Sequence, residues 1–237
     1  QQRTSNIRKT GRYSRLRRSC SWVFFLCAVY TYGQEVVEQR IESKAKNIII
    51  EFDLIDHIQL YNSGDESSIT VRAEGSGQSP SFQLEETGEH VLLRDNEQLV
   101  SAGSLGDDKV CMVEPNYTSY QIYVPKNRTL YISFMEGNFY TDKFEGDLNL
   151  KVEDGIIKLK DMNFPVKLSL NAGSVFLHEI RNTKIDAETN LGSLVHDIAE
   201  TESNMPIKKL LQTIGNPDNS IVIRTILANI YLYGSKD

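Results

Sequence analysis

Apolar residues between Leu130 and Leu194 fall on alternate positions in short runs, and the runs recur at a fixed interval. Gly137, Gly155 and Gly173 stand 18 residues apart, and Gly192 follows after 19. Counted from each glycine, the second position is Phe139, Ile157, Val175 and Leu194, and the seventh is Phe144, Met162 and Ile180. Ahead of each glycine, Leu148, Leu150 and Val152 answer to Val166, Leu168 and Leu170, and, one residue displaced, to Ile185, Ala187 and Thr189. Leu130, Ile132 and Phe134 extend the pattern backwards. Ala228, 36 residues after Gly192, extends it forwards, with Ile221, Ile223 and Thr225 before it and Ile230 and Leu232 after.

Alternation at period two on either side of a turn predicts two short strands per unit. Such a unit cannot bury its apolar face alone, so units must stack about 4.8 Å apart into a continuous core. The fold class expected is therefore all-β, a β-solenoid with about 18-residue rungs, roughly five of them. The left-handed helix of hexapeptide acyltransferases shares the period but needs an aliphatic residue at every sixth position. Here the inward residues come in pairs and triplets two apart, which excludes it.

Residues 36–98 read as β with longer polar turns, from Ile48, Ile50 and Phe52 to Val91 and Leu93, and predict an irregular N-terminal β cap. Residues 99–115, with Asp107 and Asp108, read as an exposed loop. Regular rungs are expected over 116–237. Between Ile198 and Asn219 two readings compete. Ile207, Leu210, Leu211 and Ile214 lie on one helical face between Asn204 and Gly215 as caps. Alternatively a distorted rung uses Leu211 and Thr213, which continuity with Ile221 onward favours.

The first 33 residues have the layout of a secretory signal peptide. Seven basic residues, Arg3 to Arg18, precede the eleven-residue apolar run Cys20–Tyr30, then Thr31 and Gly33. Cleavage is expected near Gly33/Gln34, leaving 34–237 as a single domain with no membrane span, because a spanning helix needs about 20 apolar residues. Cys27 as a lipid acceptor is disfavoured, since Phe24-Phe-Leu26 lacks the small residues that modification requires. Removing seven positive charges takes the net charge from −6 to −13. Nucleic acid is thereby excluded as a partner, because binding it needs clustered Lys and Arg. Cys111 alone would remain of three cysteines, which excludes an intrachain disulfide and a cysteine metal site.

Taken together, IIIEFDLIDHIQLYNSGDESSITVRAEG, YQIYVPKNRTLYISFMEGNF, the glycine-headed units and SIVIRTILANIYLYG resemble the exported adhesin-like proteins of Bacteroidetes that carry a head GIN domain. The resemblance covers about residues 45–235 and rests on pattern. It implies a right-handed single-stranded β-helix in the cell envelope with an adhesive or binding role and no catalytic residues. The chain departs from the family at Ala228, where a glycine is usual, and in the irregular 199–218 segment.

Few residues point to chemistry. Neither His57 nor His90 has metal-ligand spacing to another His. No serine is flanked by a nucleophile-elbow glycine turn, Gly103-Ser-Leu-Gly106 lacks the Lys of a phosphate loop, and the calcium nonapeptide of β-rolls is missing. Asn116-Tyr-Thr118 and Asn127-Arg-Thr129 match the glycosylation sequon, which bears only on a eukaryotic chain. The fifth-position column, Asp142, Lys160, His178 and Asp197, reads as alternating charges that pair across strands. His196, at the fourth position, should point inward.

The third-position column holds Tyr140, Lys158, Phe176, Val195 and Tyr231, all expected outward, while the opposite sheet presents Tyr131, Asn149, Lys167, Asp186, Ser133, Lys151, Ser169 and Glu188. Tyr140, Phe176 and Tyr231 are therefore the candidate binding residues, since aromatics on a flat sheet can stack on sugars or bury against a protein. The expectation is an exported, non-enzymatic binding or structural module in the periplasm, on the outer-membrane surface or outside the cell. Its partner would be a cell-surface protein or glycan, with no cofactor. The alternatives are a carbohydrate-active β-helix enzyme, against which the acids look scattered, and a periplasmic sensor domain.

Overall fold

The computed structural model describes residues 35–75, 79–95, 117–198 and 203–235, and these form β-strands and their connections with no helix. The expected signal segment, the 99–115 loop and Cys111 lie outside the described residues. The N-terminal strands are β1 (Val36–Glu42), β2 (Asn47–Glu51), β3 (Leu54–Asn62), β4 (Ser68–Gly75), β5 (Phe82–Thr87), β6 (His90–Asp95) and β7 (Thr118–Val124). Three 15-residue strands follow, β8 (Arg128–Asp142), β9 (Gly146–Lys160) and β10 (Val166–Ile180). The rest are β11 (Thr183–Thr189), β12 (Leu194–His196), β13 (Ser203–Ile207), β14 (Lys209–Thr213), β15 (Asn219–Thr225) and β16 (Asn229–Gly234).

The interval of 18 in the sequence is the register of parallel pairing. Leu130 lies opposite Leu148, and Leu148 opposite Val166; likewise Phe139, Ile157 and Val175 stand in line. Within β9 the buried residues are Leu148, Leu150 and Val152, then Ile157 and Leu159, so inward parity switches at Gly155. A straight strand cannot switch parity. The strand bends there, and Gly137, Gly155 and Gly173 take φ of 147°, 155° and 108°. A Cβ on Gly155 would lie 1.7 Å from the Gly137 carbonyl oxygen, and one on Gly173 would lie 1.9 Å from that of Gly155. Only glycine allows both the dihedral and the approach.

Each long strand ends at a second corner. Lys143, Asp161 and Glu179, again 18 apart, hold φ of 55°, 48° and 56°, a conformation costly to any side chain. They turn Phe144, Met162 and Ile180 into the core, where these are 1%, 6% and 6% exposed. The corners are bonded from strand to strand, Lys143 N donating to Lys160 O at 3.0 Å and Asp161 N to His178 O at 3.1 Å.

Because β8, β9 and β10 are bent, one 16-stranded sheet makes two walls. The first wall runs β5-β6-β2-β8-β9-β10-β15-β11-β14. The second runs β1-β4-β7-β3-β8-β9-β10-β16-β12-β13. Their inward side chains form the core, with Ile50, Leu130, Phe139, Ile157, Ile185, Ile223 and Leu232 each at 0% exposure. Each such burial contributes about 1.5–3 kcal/mol, whereas half-exposed pairs such as Lys126–Glu145 at 2.7 Å contribute about 0–1 kcal/mol. Core burial therefore holds the walls together.

Three sequence expectations need correction. The N-terminal cap is not irregular throughout. Strands β2 and β3 form a complete unit, with Ile48 opposite Leu130, Ile50 opposite Ile132 and Ile58 opposite Phe139. Within the 199–218 segment, the described residues 203–218 are neither the helix nor the distorted rung weighed from sequence, since β13 and β14 pair antiparallel with β12 and β11. Leu210, opposite the buried Ala187, packs on the core while Leu211 is 66% exposed, the reverse of the inward Leu211 expected. Finally, the unit around Gly192 does not follow that of Gly173 in space. Strands β15 and β16 insert between β10 and β11–β12, so that Val166 meets Ile221 and Ile221 meets Ile185. At the alanine corner, the Ala228 carbonyl accepts the hydroxyls of Thr189 and Thr225, both at 3.0 Å.

Gly155→Ala should therefore lower stability by about 3 kcal/mol or more, whereas Gly64→Ala, which meets nothing within 4 Å, should stay within about 0.5 kcal/mol. Urea unfolding followed by circular dichroism measures both, and equal midpoints would contradict the corner.

Candidate binding face

The outward positions of the second wall align into columns because the strands are parallel and in register. One column reads Gln59, Tyr140, Lys158, Phe176, Tyr231 and Val195. All three aromatics expected from sequence are in it, each half-buried. Insertion of β16 changes their order, however: Tyr231 sits between Phe176 and Val195 and touches Phe176. The two rings stack at 4.8 Å with planes 8° apart. Tyr140 stands two strands away with Lys158 between, whose Nζ lies 5.3 Å from the Tyr140 ring centre.

Four further rings lie on this wall. His178 stacks on Tyr233 at 4.8 Å and 15°, and lies 6.5 Å from Phe176. At the other end Tyr61 stacks on Tyr123 at 5.0 Å and 17°. Parity alone turns the tyrosines outward, two residues beyond Gln59, Gln121 and Tyr231, but the N-terminal unit that carries two of them has no corner glycine to mark it in sequence. From sequence alone His178 falls in a charge ladder. That ladder exists at Lys160, which meets both Asp142 and Glu179 at 3.3 Å, while Asp197 accepts the Gly234 N–H at 2.8 Å. His196, expected inside, is half-buried, and its Nδ1 is buried without a hydrogen-bond partner among the described residues.

Ring stacking along the strand-to-strand direction has a chemical consequence. The faces of Phe176, Tyr231, His178 and Tyr233 are turned on one another, leaving edges to meet a partner. Ring edges carry the positive rim of the aromatic quadrupole and favour acceptor oxygens. The wall is therefore suited to edge and hydrogen-bond contact more than to the face stacking expected from sequence.

Beside Tyr140 lies a polar cluster. Asp56 Oδ2 accepts the Ser119 hydroxyl at 2.8 Å and lies 2.8 Å from His57 Nδ1, and the Asp56 carbonyl accepts from Asn138 Nδ2 at 3.0 Å. The Ser119 hydrogen bond, then that of His57, holds the Asp56 carboxyl below its ordinary range. Burial, then Asp56, raises the Tyr140 hydroxyl. Serine, histidine and aspartate meet here in the wrong order for nucleophilic catalysis. Ser119 donates to the carboxylate, so the histidine is not placed to take its proton.

The acids are less scattered than the sequence implies. Glu136 faces Asp154 across β8 and β9, and with Asp56 they line a 290 Å³ pocket at the glycine corner. Among the described residues no group of three His, Cys, Asp or Glu is arranged to hold a metal ion.

A depressed carboxyl stabilises the fold above its unfolded-state pKa, about 3.9. That contribution fades as pH falls through the lower folded value. Carboxyl NMR should thus show Asp56 titrating below an ordinary aspartate, and Ser119→Ala should move the midpoint up. A midpoint unmoved by the substitution would contradict the assignment.

No family model matches the chain, and no curated protein matches it. Among solved structures, a candidate cell adhesion protein from Clostridium sporogenes matches with a TM-score of 0.57 at 14% identity, covering 85% of this chain and 100% of that one. A candidate adhesin from Bacteroides fragilis matches with a TM-score of 0.35 at 10% identity, over 84% and 97%. Another from Parabacteroides distasonis matches at 0.26 and 9%, over 86% and 98%. The Clostridium sporogenes protein shares the fold of this chain.

Proposed function

We propose that the chain is an exported, non-enzymatic, adhesin-like binding module, a right-handed β-solenoid of about 18-residue rungs whose second wall docks a cell-surface protein or glycan. The in-register parallel strands support the solenoid, and the resemblance to proteins with a head GIN domain supports its handedness and its place in the envelope. Residues 1–33 are its signal segment and 34–237 its single domain. No helix among the described residues is long and apolar enough to cross a membrane.

The observation that carries the binding reading is the row of rings standing on one wall, Tyr61 exposed and Tyr123, Tyr140, Phe176, Tyr231 and Tyr233 half-buried. Tyrosine combines a rigid apolar body with a hydroxyl, which gives contact area at little entropic cost. Aromatics of this kind are enriched where proteins meet partners.

A second reading, a carbohydrate-active enzyme, draws on the corner pocket. Glycoside hydrolysis needs two carboxyl groups across a sugar linkage, and Glu136, Asp154 and Asp56 share that pocket. Release of reducing ends from a polysaccharide, abolished by Glu136→Gln or Asp154→Asn, would favour it.

The binding reading is tested with the full chain beside its Tyr140→Ala/Phe176→Ala/Tyr231→Ala variant, in pull-downs from bacterial envelope extracts and on glycan arrays. The variant should lose partner retention by about tenfold or more while its circular dichroism is unchanged. Equal retention by a folded variant would contradict the face.

A further inference from the structure

The first wall presents a surface that its sequence conceals. Read in chain order its outward residues are mostly polar. The spatial order differs, because β2 adds Ile49 beside Tyr131 and β15 inserts Val222 between Lys167 and Asp186. An open groove of 430 Å³ results, with Ile49, Tyr131 and Val222 giving it apolar patches and Lys151 and Lys167 between them.

We propose that this groove binds an acidic saccharide, at a site independent of the aromatic face. The first argument is charge. Arg224 is held by Asp186 at 2.7 Å and Glu188 by Lys209 at 3.2 Å, whereas Lys151 and Lys167 have no ion pair among the described residues. Glu51 lies at the β2 end of the groove, and Glu153, which accepts from Asn171 Nδ2 at 2.9 Å, borders Lys151 on β9, so the unpaired cations of the groove are those of β9 and β10. Two unpaired cations on a chain of net charge −6 are free for an external anion. They lie on adjacent strands two residues out of register, about 7–8 Å apart, so two carboxylates of one polymer can bind together.

The second argument is the ring. Tyr131 is 47% exposed, stands beside Ile49 and has no aromatic partner among the described residues, so its ring is accessible to a ligand, unlike the stacked rings of the other wall. An open ring face accepts the C–H face of a sugar. Ser133 and Ser169, in the same groove as Lys151, add hydroxyls for hydrogen bonds. An acyl chain would need an enclosing pocket, which this open wall does not provide.

The test is calorimetry of the full chain with tetragalacturonate, at low and at physiological salt. Binding should weaken as salt rises. It should fall about tenfold in Lys151→Ala/Lys167→Ala, and about as much in Tyr131→Ala. Phe176→Ala/Tyr231→Ala, on the opposite wall, should bind like the parent. The proposal is overturned by no binding, by unchanged affinity in the lysine or the tyrosine variant, or by loss in the opposite-wall variant. It is also overturned if a neutral tetrasaccharide or tetraglutamate binds as tightly.

Discussion

Parallel strands about 4.8 Å apart bring backbone against backbone at every bend. Here the carbonyl of Gly137 occupies the place that a Cβ on Gly155 would need, and the carbonyl of Gly155 the place for one on Gly173. The rest of the structure follows from that contact. A glycine at each bend lets one strand change inward parity and serve two walls. Because the bends stack, each position before or after them stacks too. Phe139, Ile157 and Val175 become a core column, and Tyr140, Lys158 and Phe176 an outward one. The outward aromatic column is thus a by-product of the corner.

A parallel array leaves open edges at both ends, a hazard for aggregation. This chain ends both walls with antiparallel strands, β5 and β14 on the first and β1 and β13 on the second. At the C-terminal end the closing strands β13 and β14 precede in chain order the strands that fill the gap beside β10. Strands β11 and β12 skip one level, and β15 and β16 return to occupy it. Strands β10 and β11 therefore lack a shared partner until the last strands are in place. Such long-range pairing is slow to form, since loop closure comes before its reward.

The sequence carries inward parity directly, because alternation and glycine spacing are local signals. Tyr140, Phe176 and Tyr231 were placed on the outward side for that reason. Which strand lies next to which is not a local property. Leu168 packs as well beside Ile223 as beside Ala187, so the insertion of β15 left no mark that parity could reveal. The N-terminal unit escaped notice for another reason. Opposite Gly137 its corner carries no glycine but Ile55, whose side chain fills the space beside Gly137. Without that mark, the alignment of Tyr61 and Tyr123 with the other rings is not a local property of the sequence. Leu211 misled because its helical spacing and its strand alternation were both satisfied in sequence, and only the antiparallel register with Ala187 separates it from Leu210.

Insertion of β15 and β16 beside β10 underlies both the Phe176–Tyr231 stack and the groove of the first wall, and on the first wall it sets the order β10, β15, β11. Paired cysteines measure it most directly, in a chain whose Cys20, Cys27 and Cys111 are replaced by Ser. Lys167→Cys with Val222→Cys places the two thiols on neighbouring strands, and a disulfide should form readily on mild oxidation. Lys167→Cys with Asp186→Cys places them two strands apart, about 9.6 Å, beyond the reach of a disulfide, and should stay reduced. Rapid crosslinking of the second pair with none of the first would contradict the insertion.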